Sequence, residues 1–369
     1  MIPVDLLHLL RPAGGGVYLV STGLAEQRAL QRQIYRAARD EDVPQLHRAA
    51  LEQIAGARGI VLGIPSDIGA GYRRGANLGP EELRRAFYAT YPNALAWAER
   101  ERVLDVGDVF VVPQLIHDEM LTSTQIAQSR RALYPEAPAE LAATLPVSPL
   151  SMAERVLDRI FEVNPRVRVF VLGGDHSTAW PVVAALHRHD ADLCILQFDA
   201  HTDLLAERLG IKYCFATWSY HANELIGRGG RLTQVGIRAT RHDRGHWEQT
   251  LGVRQFWADE CVQDPRGSAA RIVEHLRAVG CRRLYISNDI DGTDERWASA
   301  TGTPETNGLT PDFVDALIAE CGRQFEVVGG DIMEVAPSVA APDGGREETL
   351  RTAVRYLRTT MQAALGSAP

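Results

Sequence analysis

Short apolar runs alternate with longer amphipathic segments through most of this chain of 369 residues. The runs are rich in Val, Ile, Leu and Phe, as buried strands are, and the segments between them carry apolar residues at helical spacing. The clearest predicted strands are RVRVFVLGGDHS (166–177), DLCILQFDAHTD (192–203), CRRLYISNDID (281–291) and FEVVGGDIMEVAP (325–337). This alternation predicts an α/β fold with a mainly parallel, doubly wound sheet and helices on both faces.

Three of the predicted strands end in side chains that are costly to bury. These side chains are Asp175 and His176 in GGDHS, Asp199, His201 and Asp203 in FDAHTD, and Asp289, Asp291 and Asp294 in SNDIDGTD. Folds of this class bind ligands at the carboxyl ends of their strands. Because alternate residues of an extended chain share one face, the three polar members of FDAHTD are expected to point the same way, as are Asp289 and Asp291.

Carboxylates brought this close together would repel one another and shift each other's pKa values. Cations relieve the repulsion, and a set of carboxylates with two imidazoles suits Mn²⁺, Fe²⁺, Ni²⁺ or Zn²⁺. So many anionic ligands predict two ions, which together lower the pKa of a bridging water. Taken singly, each motif is also compatible with a turn, a helix cap, or a calcium or magnesium loop. The metal prediction therefore depends on all three motifs ending buried strands.

The bulk composition excludes several classes of protein. The net charge is −8 and the hydrophobic content 45%, so we expect no nucleic-acid partner and no anionic membrane surface as a partner. Uninterrupted apolar stretches are too short for a membrane span, and the first residues lack the basic region of a secretory signal. The five cysteines are scattered without a C-x-x-C pair. Reduced thiols and a cytoplasmic location are therefore expected.

The first part of the chain lacks the alternation of strands and helices. Residues 1–58 are predicted to form a helical N-terminal extension, and residues 59–369 the main α/β domain. Within the extension, residues 24–56 have helical apolar spacing that is broken at Pro44. We expect the extension to pack on the main domain or on another subunit.

The motifs together resemble those of the ureohydrolases, the family of arginase, agmatinase and guanidinobutyrase. The matching segments are GIPSDIGAGYRRGANLGPEELR (63–84), GGDHSTAWP (173–181), FDAHTD (198–203), SNDIDGTD (287–294), GTPETNGLT (302–310) and DIMEVAP (331–337). They cover residues from about 59 to 366 in the family's order. The resemblance implies a three-layer α/β/α catalytic domain of the arginase type, preceded by an extension that lies outside the family pattern.

The resemblance also implies a ligand set for two divalent metal ions. One ion would be held by His176, Asp199, Asp203 and Asp289, and the other by Asp199, His201, Asp289 and Asp291. Asp199 and Asp289 would bridge the two ions. The family usually uses Mn²⁺, and some members that act on small guanidines use Ni²⁺.

The implied reaction is hydrolysis of a guanidino or amidino carbon by a metal-bridging hydroxide, which releases urea or an amide. Asp203 would carry a proton to the leaving nitrogen. Glu305 matches the glutamate that accepts hydrogen bonds from the substrate guanidinium, and a carboxylate facing that planar cation gives a charge-assisted pair. The alternative for Glu305 is a solvated loop carboxylate.

One departure from the family concerns a histidine that is thought to move protons to the leaving amine. Family members have H-G-T about a dozen residues after the D-A-H-x-D motif, whereas KYCFATWSYHA (212–222) has Phe215 at the histidine position. A phenyl ring cannot transfer a proton. The nearest substitute is His221, for which an ordinary surface or subunit-contact histidine is an equal alternative.

The same region predicts the substrate pocket. Leu204 and Leu205 replace the polar residues with which arginase reads an amino-acid head group. Phe215, Trp218 and Tyr220 are predicted to line an aromatic pocket for an alkyl guanidine or small cation, to which Trp297 adds from further along the chain. Packing in the core or between subunits is the alternative for these aromatics.

The resemblance therefore implies a binuclear metal-dependent hydrolase of C–N bonds in linear amidines, assembled as a homotrimer or homohexamer, and the cysteine pattern predicts that it is cytoplasmic. Agmatine-like compounds, guanidinoalkanoates and free or alkylated guanidine all remain open as the small guanidino substrate. One alternative is a formimidoyl or amidine hydrolase of the same fold. Another is a non-catalytic ureohydrolase-like subunit that stabilises an active partner, which Phe215 suggests and the intact ligand set opposes.

Overall fold

A mainly parallel sheet forms the middle layer of the protein in a computed structural model that describes residues 2–339 and 341–369. Its strands are β1 (Leu10–Arg11), β2 (Gly59–Ile64), β3 (Val103–Val109), β4 (Arg168–Gly173), β5 (Leu193–Phe198), β6 (Leu232–Ile237), β7 (Arg254–Trp257), β8 (Arg283–Asn288) and β9 (Glu326–Ile332). They lie in the order β1-β3-β2-β4-β9-β8-β5-β6-β7. β1 is antiparallel to β3, and the other neighbours pair in parallel.

Helices connect the strands, as parallel pairing requires. They are α1 (Val4–Leu9), α2 (Leu24–Tyr35), α3 (Val43–Glu52), α4 (Gly79–Thr90), α5 (Ala94–Glu101), α6 (Ser123–Leu133), α7 (Ala139–Ala142), α8 (Pro149–Val163), α9 (Ala179–His189), α10 (Trp218–Leu225), α11 (Arg244–Leu251), α12 (Ala258–Gln263), α13 (Pro265–Ala278), α14 (Pro311–Gln324) and α15 (Gly345–Leu365). Short 3₁₀ turns include His176–Thr178 and Ile290–Gly292. Within the described residues, none of these helices has the length and apolarity that a bilayer crossing demands.

Two apolar cores lie on opposite faces of the sheet. Val169 and Val171 of β4 belong to one core, while Phe170 and Leu172 of the same strand belong to the other. Successive side chains of a strand point to opposite faces, so both faces of β4 are covered by helices. The predicted α/β fold, doubly wound with three layers, is confirmed.

The N-terminal segment joins this sheet and does not only add helices to it. Leu10 pairs with Val109 across β1 and β3, and Leu6 and Leu9 are fully buried in the first core. The predicted helical stretch 24–56 consists of α2 and α3, and Pro44 lies in the first turn of α3, where its missing N–H costs nothing. The division of the chain at residue 58 stays a prediction.

Two strands that lead to the polar motifs are shorter than predicted. β5 ends at Phe198 and β8 ends at Asn288, so both acidic motifs lie outside the sheet. The Asp199 carboxylate accepts the His201 backbone N–H (2.6 Å), and the Asp289 carboxylate accepts that of Asp291 (3.0 Å). Side chains that bond the backbone two residues ahead turn the chain, so the assumption of an extended strand through these motifs was wrong.

Candidate metal centre

The polar motifs meet at the carboxyl edge of four neighbouring strands, β4, β9, β8 and β5. Phe198 pairs with Asn288 at the ends of β5 and β8, so Asp199 and Asp289 leave the sheet side by side. His176 begins a 3₁₀ turn shortly after β4. Neighbouring parallel strands therefore bring together three motifs that are far apart in sequence.

His176 lies against a first group of carboxylates. Its Nδ1 is 3.0 Å from Asp289 Oδ2, 3.2 Å from Asp199 Oδ2 and 3.5 Å from Asp203 Oδ2. Donor atoms of His176, Asp199 and Asp289 all lie within 4.8 Å of one another. The three residues and Asp203 are buried, and this is the arrangement expected of the first predicted ion site.

His201 lies against a second group that shares Asp199. Its Nδ1 is 3.1 Å from Asp291 Oδ2 and 3.6 Å from Asp199 Oδ1. Donor atoms of Asp199, His201 and Asp291 form another set within 4.8 Å. Asp199 thus presents one oxygen to each group, so its carboxylate could be shared between two ions.

The electrostatics of the cluster require positive charge. Burial raises the pKa of Asp203 and of Asp289 well above the usual carboxyl range, and neighbouring carboxylates add to the effect. Burial also disfavours the Asp199 carboxylate, but the imidazoles of His176 and His201 outweigh burial and lower its pKa. Divalent ions between these oxygen and nitrogen donors would satisfy all the carboxylates at once, so the residues present fit a binuclear centre.

A relay of hydrogen bonds orients the His176 ring. Its Nε2 lies 3.0 Å from Ser287 Oγ, and this hydroxyl donates to the carboxylate of Asp331 (3.0 Å). Because Ser287 uses its proton on Asp331, it is left to accept the Nε2–H of His176. Nδ1 is then the unprotonated nitrogen that can bind a metal ion.

A row of buried glutamines orients Asp199. Gln197 Nε2 donates to Asp199 Oδ2 (2.7 Å), Gln234 Nε2 donates to Gln197 Oε1 (2.9 Å), and Gln255 Nε2 donates to Gln234 Oε1 (2.8 Å). The three residues lie opposite one another on β5, β6 and β7. Sequence reasoning missed this row, although a glutamine within three neighbouring apolar runs was a readable signal.

Trp218 supports the cluster from behind. Its indole stacks on the His176 ring with 4.4 Å between centroids, and its Nε1 donates to Asp203 Oδ2 (3.1 Å). The side chain is fully buried, so the prediction that Trp218 lines the substrate pocket is not supported. It sits behind two metal-ligand candidates, where a substrate would have no surface to touch.

Phe215 lies where two cavities meet in front of the cluster. The inner cavity, of about 150 Å³, is lined by Phe215, Gly302, Thr303 and Glu334 among others. The outer cavity, of about 420 Å³, is mainly apolar and shares Phe215 as a wall. Thr303 Oγ1 donates to Asp291 Oδ2 (2.8 Å) and Glu334 accepts the His176 backbone N–H (2.9 Å), so the inner cavity adjoins the metal-ligand cluster.

Two glutamates therefore lie near the cluster. Glu305 Oε1 is 3.6 Å from His201 Nε2 with 39% of its side chain exposed. Glu334 is buried, has a left-handed backbone (φ 60°) and lines the inner cavity. Sequence reasoning assigned Glu334 no role, although it lies in the DIMEVAP motif whose family resemblance was recognised.

His221 and Trp297 have other surroundings. His221 Nε2 lies 3.0 Å from the Lys212 carbonyl, and its ring contacts Trp180, Tyr213 and Tyr220. These contacts place His221, which lies on α10, in a cluster of aromatic side chains from α9, α10 and the loop before α10. Trp297 lines a separate surface cavity between α14 and α15. The structure thus does not bring either residue together with the six predicted metal ligands.

The chain is similar to known proteins both in sequence and in structure. The model of the arginase family matches residues 57–362. The guanidinobutyrase of Pseudomonas aeruginosa is 27% identical over 283 residues, which cover 75% of this chain and 78% of the relative. The N(1)-aminopropylagmatine ureohydrolase of Thermus thermophilus is 30% identical over 282 residues, which cover 76% of this chain and 84% of the relative.

Solved structures agree with the sequence matches. The proclavaminate amidino hydrolase of Streptomyces clavuligerus superposes with a TM-score of 0.63 at 26% identity, covering 84% of this chain and 93% of that protein. The agmatine ureohydrolase of Thermoplasma volcanium superposes with a TM-score of 0.59 at 25% identity, covering 84% and 92%. Enzymes of this family are hydrolases with a binuclear site for divalent metal ions, typically Mn²⁺. With the family pattern covering most of its length and the fold matching, the chain belongs to the arginase family of hydrolases.

Proposed function

We propose that the protein hydrolyses a guanidino compound with two divalent ions held by the ligand set of the cluster. The six ligands are His176, Asp199, His201, Asp203, Asp289 and Asp291. The observation that carries the proposal is the pair of donor groups that share Asp199. The names of the relatives, guanidinobutyrase and agmatinase, support a guanidino substrate.

The guanidinium is bound by Glu334 in the inner cavity. Glu334 presents a buried carboxylate one hydrogen bond away from His176 (2.9 Å), and a planar guanidinium forms a charge-assisted pair with such a group. Burial strengthens that pairing because water competes less for both charges. Glu305 lies at the more exposed side of His201, where it faces the entering substrate.

The reaction adds water across one C–N bond of the guanidinium. Two divalent ions, when bound, supply a deprotonated water at neutral pH and stabilise negative charge. Glu334 orients the planar carbon, and the apolar wall at Phe215 limits the access of bulk water. As the C–N bond breaks, the leaving nitrogen takes up a proton, which Asp203 carries. Urea and an amine or ammonia are the products.

Mn²⁺ is the proposed metal, with Ni²⁺ as the alternative. Four carboxylates favour an oxygen-preferring ion such as Mn²⁺, and two imidazoles also accept Ni²⁺. The protein is further proposed to act as a homotrimer or homohexamer, which light scattering on the purified protein decides. A monomer would contradict this part of the proposal.

The test is metal content followed by a screen for urea release. Purified protein is expected to hold about two ions per chain and to release urea from at least one guanidine with loss of activity on chelation. Release of an amide from formimidoyl compounds, without release of urea from any guanidine, would favour the alternative function of a formimidoyl or amidine hydrolase. Two bound ions with no product from any compound would favour the non-catalytic subunit, and absence of metal after loading would contradict the proposal itself.

A further inference from the structure

We infer that the substrate carries a carboxylate at the end opposite its guanidinium, and that Arg208 and Arg73 select it. This inference rests on the proposed function and narrows its substrate class. Its starting point is the wall between the two cavities. Arg208 lies over the face of Phe215, with 4.8 Å from the guanidinium carbon to the ring centroid, and both side chains line both cavities.

The acidic and basic side chains of the inner cavity lie at different places on its lining. The carboxyl group of Glu334 lies beside His176, and Arg73 and Arg208 provide positive charge elsewhere on the lining. Among the described residues around the outer cavity, Arg208 carries the only formal charge. A substrate whose guanidinium pairs with Glu334 therefore extends its other end towards arginine side chains.

Neither arginine is neutralised by a neighbour in the part of the chain that the structure describes. Both residues are exposed, and their guanidinium groups lie over aromatic rings, that of Phe215 for Arg208 and that of Tyr72 for Arg73. Stacking on a ring leaves the edge N–H groups of a guanidinium free to donate. Two such groups suit a carboxylate, which accepts paired N–H donors, and they repel an ammonium.

Two glycines hold the loops close enough for this arrangement. A Cβ built on Gly71 would lie 2.5 Å from both Phe215 and the Arg208 guanidinium, and one on Gly302 would lie 2.9 Å from the Arg73 carbonyl. The lack of side chains at these two positions lets the loop 66–75 pack against Phe215 and Arg208, so that Arg73 of this loop and Arg208 line the same inner cavity. The geometry favours a short guanidino carboxylate over an aminoalkyl guanidine.

The experiment compares three guanidines of similar length, guanidinopropionate, propylguanidine and aminoethylguanidine, with the metal-loaded protein. We expect kcat/KM to be highest for the carboxylate and lowest for the amine, by roughly tenfold or more between neighbours in that order. Arg208→Gln and Arg73→Gln should each lower kcat/KM for guanidinopropionate by about tenfold more than they lower kcat/KM for propylguanidine, which has no carboxylate for an arginine to bind. Added salt should reduce the difference in kcat/KM between the three substrates, because it screens the exposed arginines.

Two further variants separate charge from shape. Arg208→Lys keeps the positive charge and should retain most of the preference for guanidinopropionate. Arg323→Gln is the control and should leave kcat/KM for all three compounds unchanged, since Arg323 is an exposed residue near the end of α14. Equal rates for the three compounds, or a preference for the amine, would overturn the inference while leaving guanidine hydrolysis intact. A preference for the carboxylate that survives both glutamine variants would overturn the role of the arginines. Failure to release urea from any guanidine would overturn the proposed function and this inference together.

Discussion

The indole of Trp218 lies against the imidazole of His176 at an interplanar angle of 28°, with 4.4 Å between ring centroids. The same indole donates its N–H to Asp203. One buried side chain therefore fixes the position of two candidate metal ligands. Groups that hold metal ligands from behind commonly tune metal affinity by one to two orders of magnitude, about 10- to 100-fold.

Trp218→Phe tests this relationship. Phenylalanine keeps an aromatic face against His176 but removes the N–H that Asp203 accepts. We expect metal affinity, measured by competition with a chelator, to fall about tenfold or more. Circular dichroism of the variant should match the parent, and an unchanged affinity would show that the N–H does not matter.

The glutamates are distinguished by a matched pair of variants, Glu334→Gln and Glu305→Gln. Glutamine at 334 can still accept the His176 N–H, so the local backbone is preserved while the charge opposite the guanidinium is lost. We expect kcat/KM to fall about a hundredfold for Glu334→Gln with metal content unchanged, because a buried charge pair loses one partner. The fall for Glu305→Gln should be about tenfold smaller, since an exposed carboxylate is screened by water. A larger fall in kcat/KM for Glu305→Gln than for Glu334→Gln would show that Glu305 binds the guanidinium.

Metal binding should stabilise the fold through the shared carboxylates. Ligand at a hundred times its Kd adds about 2.7 kcal/mol to the free energy of unfolding, so adding Mn²⁺ to chelator-treated protein should raise Tm. Asp289→Asn should remove most of that rise. The metal-free variant should be at least as stable as the metal-free parent, because one of several buried like charges is gone.

Asp294→Asn is the control for this experiment. Asp294 is buried in the same motif, but its carboxylate accepts the N–H groups of Gly308 and Arg296. We expect this variant to keep the full rise of Tm with Mn²⁺ despite a lower starting stability. Equal loss of the metal effect in both variants would contradict the assigned ligand set.

Phe215→Ala should join the inner and outer cavities, since the phenyl ring lines both. Longer alkyl guanidines are then expected to gain relative to short ones, by several-fold in the ratio of their kcat/KM values. Phe215→Leu, which keeps an apolar wall, should change the ratio much less. A fall in kcat that is equal for all chain lengths would point instead to a role for Phe215 in the reaction.

A buried ion network ties the N-terminal segment to the sheet. The Arg84 guanidinium binds Asp105 (2.7 Å) and Asp108 (2.6 Å), and Asp108 also accepts the backbone N–H of Gly16 (3.3 Å). Arg84→Met should lower the free energy of unfolding by about 3–5 kcal/mol, because two carboxylates lose their counter-charge inside the protein. Denaturant titration measures the change. Arg85→Met, which removes only partly exposed pairs on the next residue, should cost less than about 1 kcal/mol.

Local patterns made much of the protein predictable. Apolar runs of strand length and helical spacings are read within one segment, so the layers and most elements were predicted correctly. The metal-ligand candidates were also predictable, because three motifs of carboxylates and imidazoles each follow a buried strand, although any one of these motifs alone could be a turn or a helix cap. The residues at which β5 and β8 end were harder to predict. The carboxylates of Asp199 and Asp289 turn the chain by accepting backbone N–H groups two residues ahead, and the apolar pattern before them does not reveal this.

The roles of single aromatic and acidic residues depended on neighbours far along the chain. Trp218 was predicted to line a pocket, but it is sealed behind His176, which lies 42 positions earlier in the sequence. Glu334 drew no prediction because its proposed role depends on a hydrogen bond to His176 and on the cavity beside it. The burial of a side chain and its contacts with distant residues arise only when the chain is packed, so they could not be predicted from local sequence.

By itself, the sequence determined the class of fold, the family and the identity of the six metal-ligand candidates, since each is encoded in a short pattern of residue types. Only the tertiary structure decided how Asp199 divides its oxygens between two groups, which glutamate lies by the inner cavity, and where Arg208 and Phe215 stand relative to it. The physical reason is that adjacent parallel strands bring together residues more than a hundred positions apart, such as His176 and Asp289. Distances and burial arise only once those strands have paired.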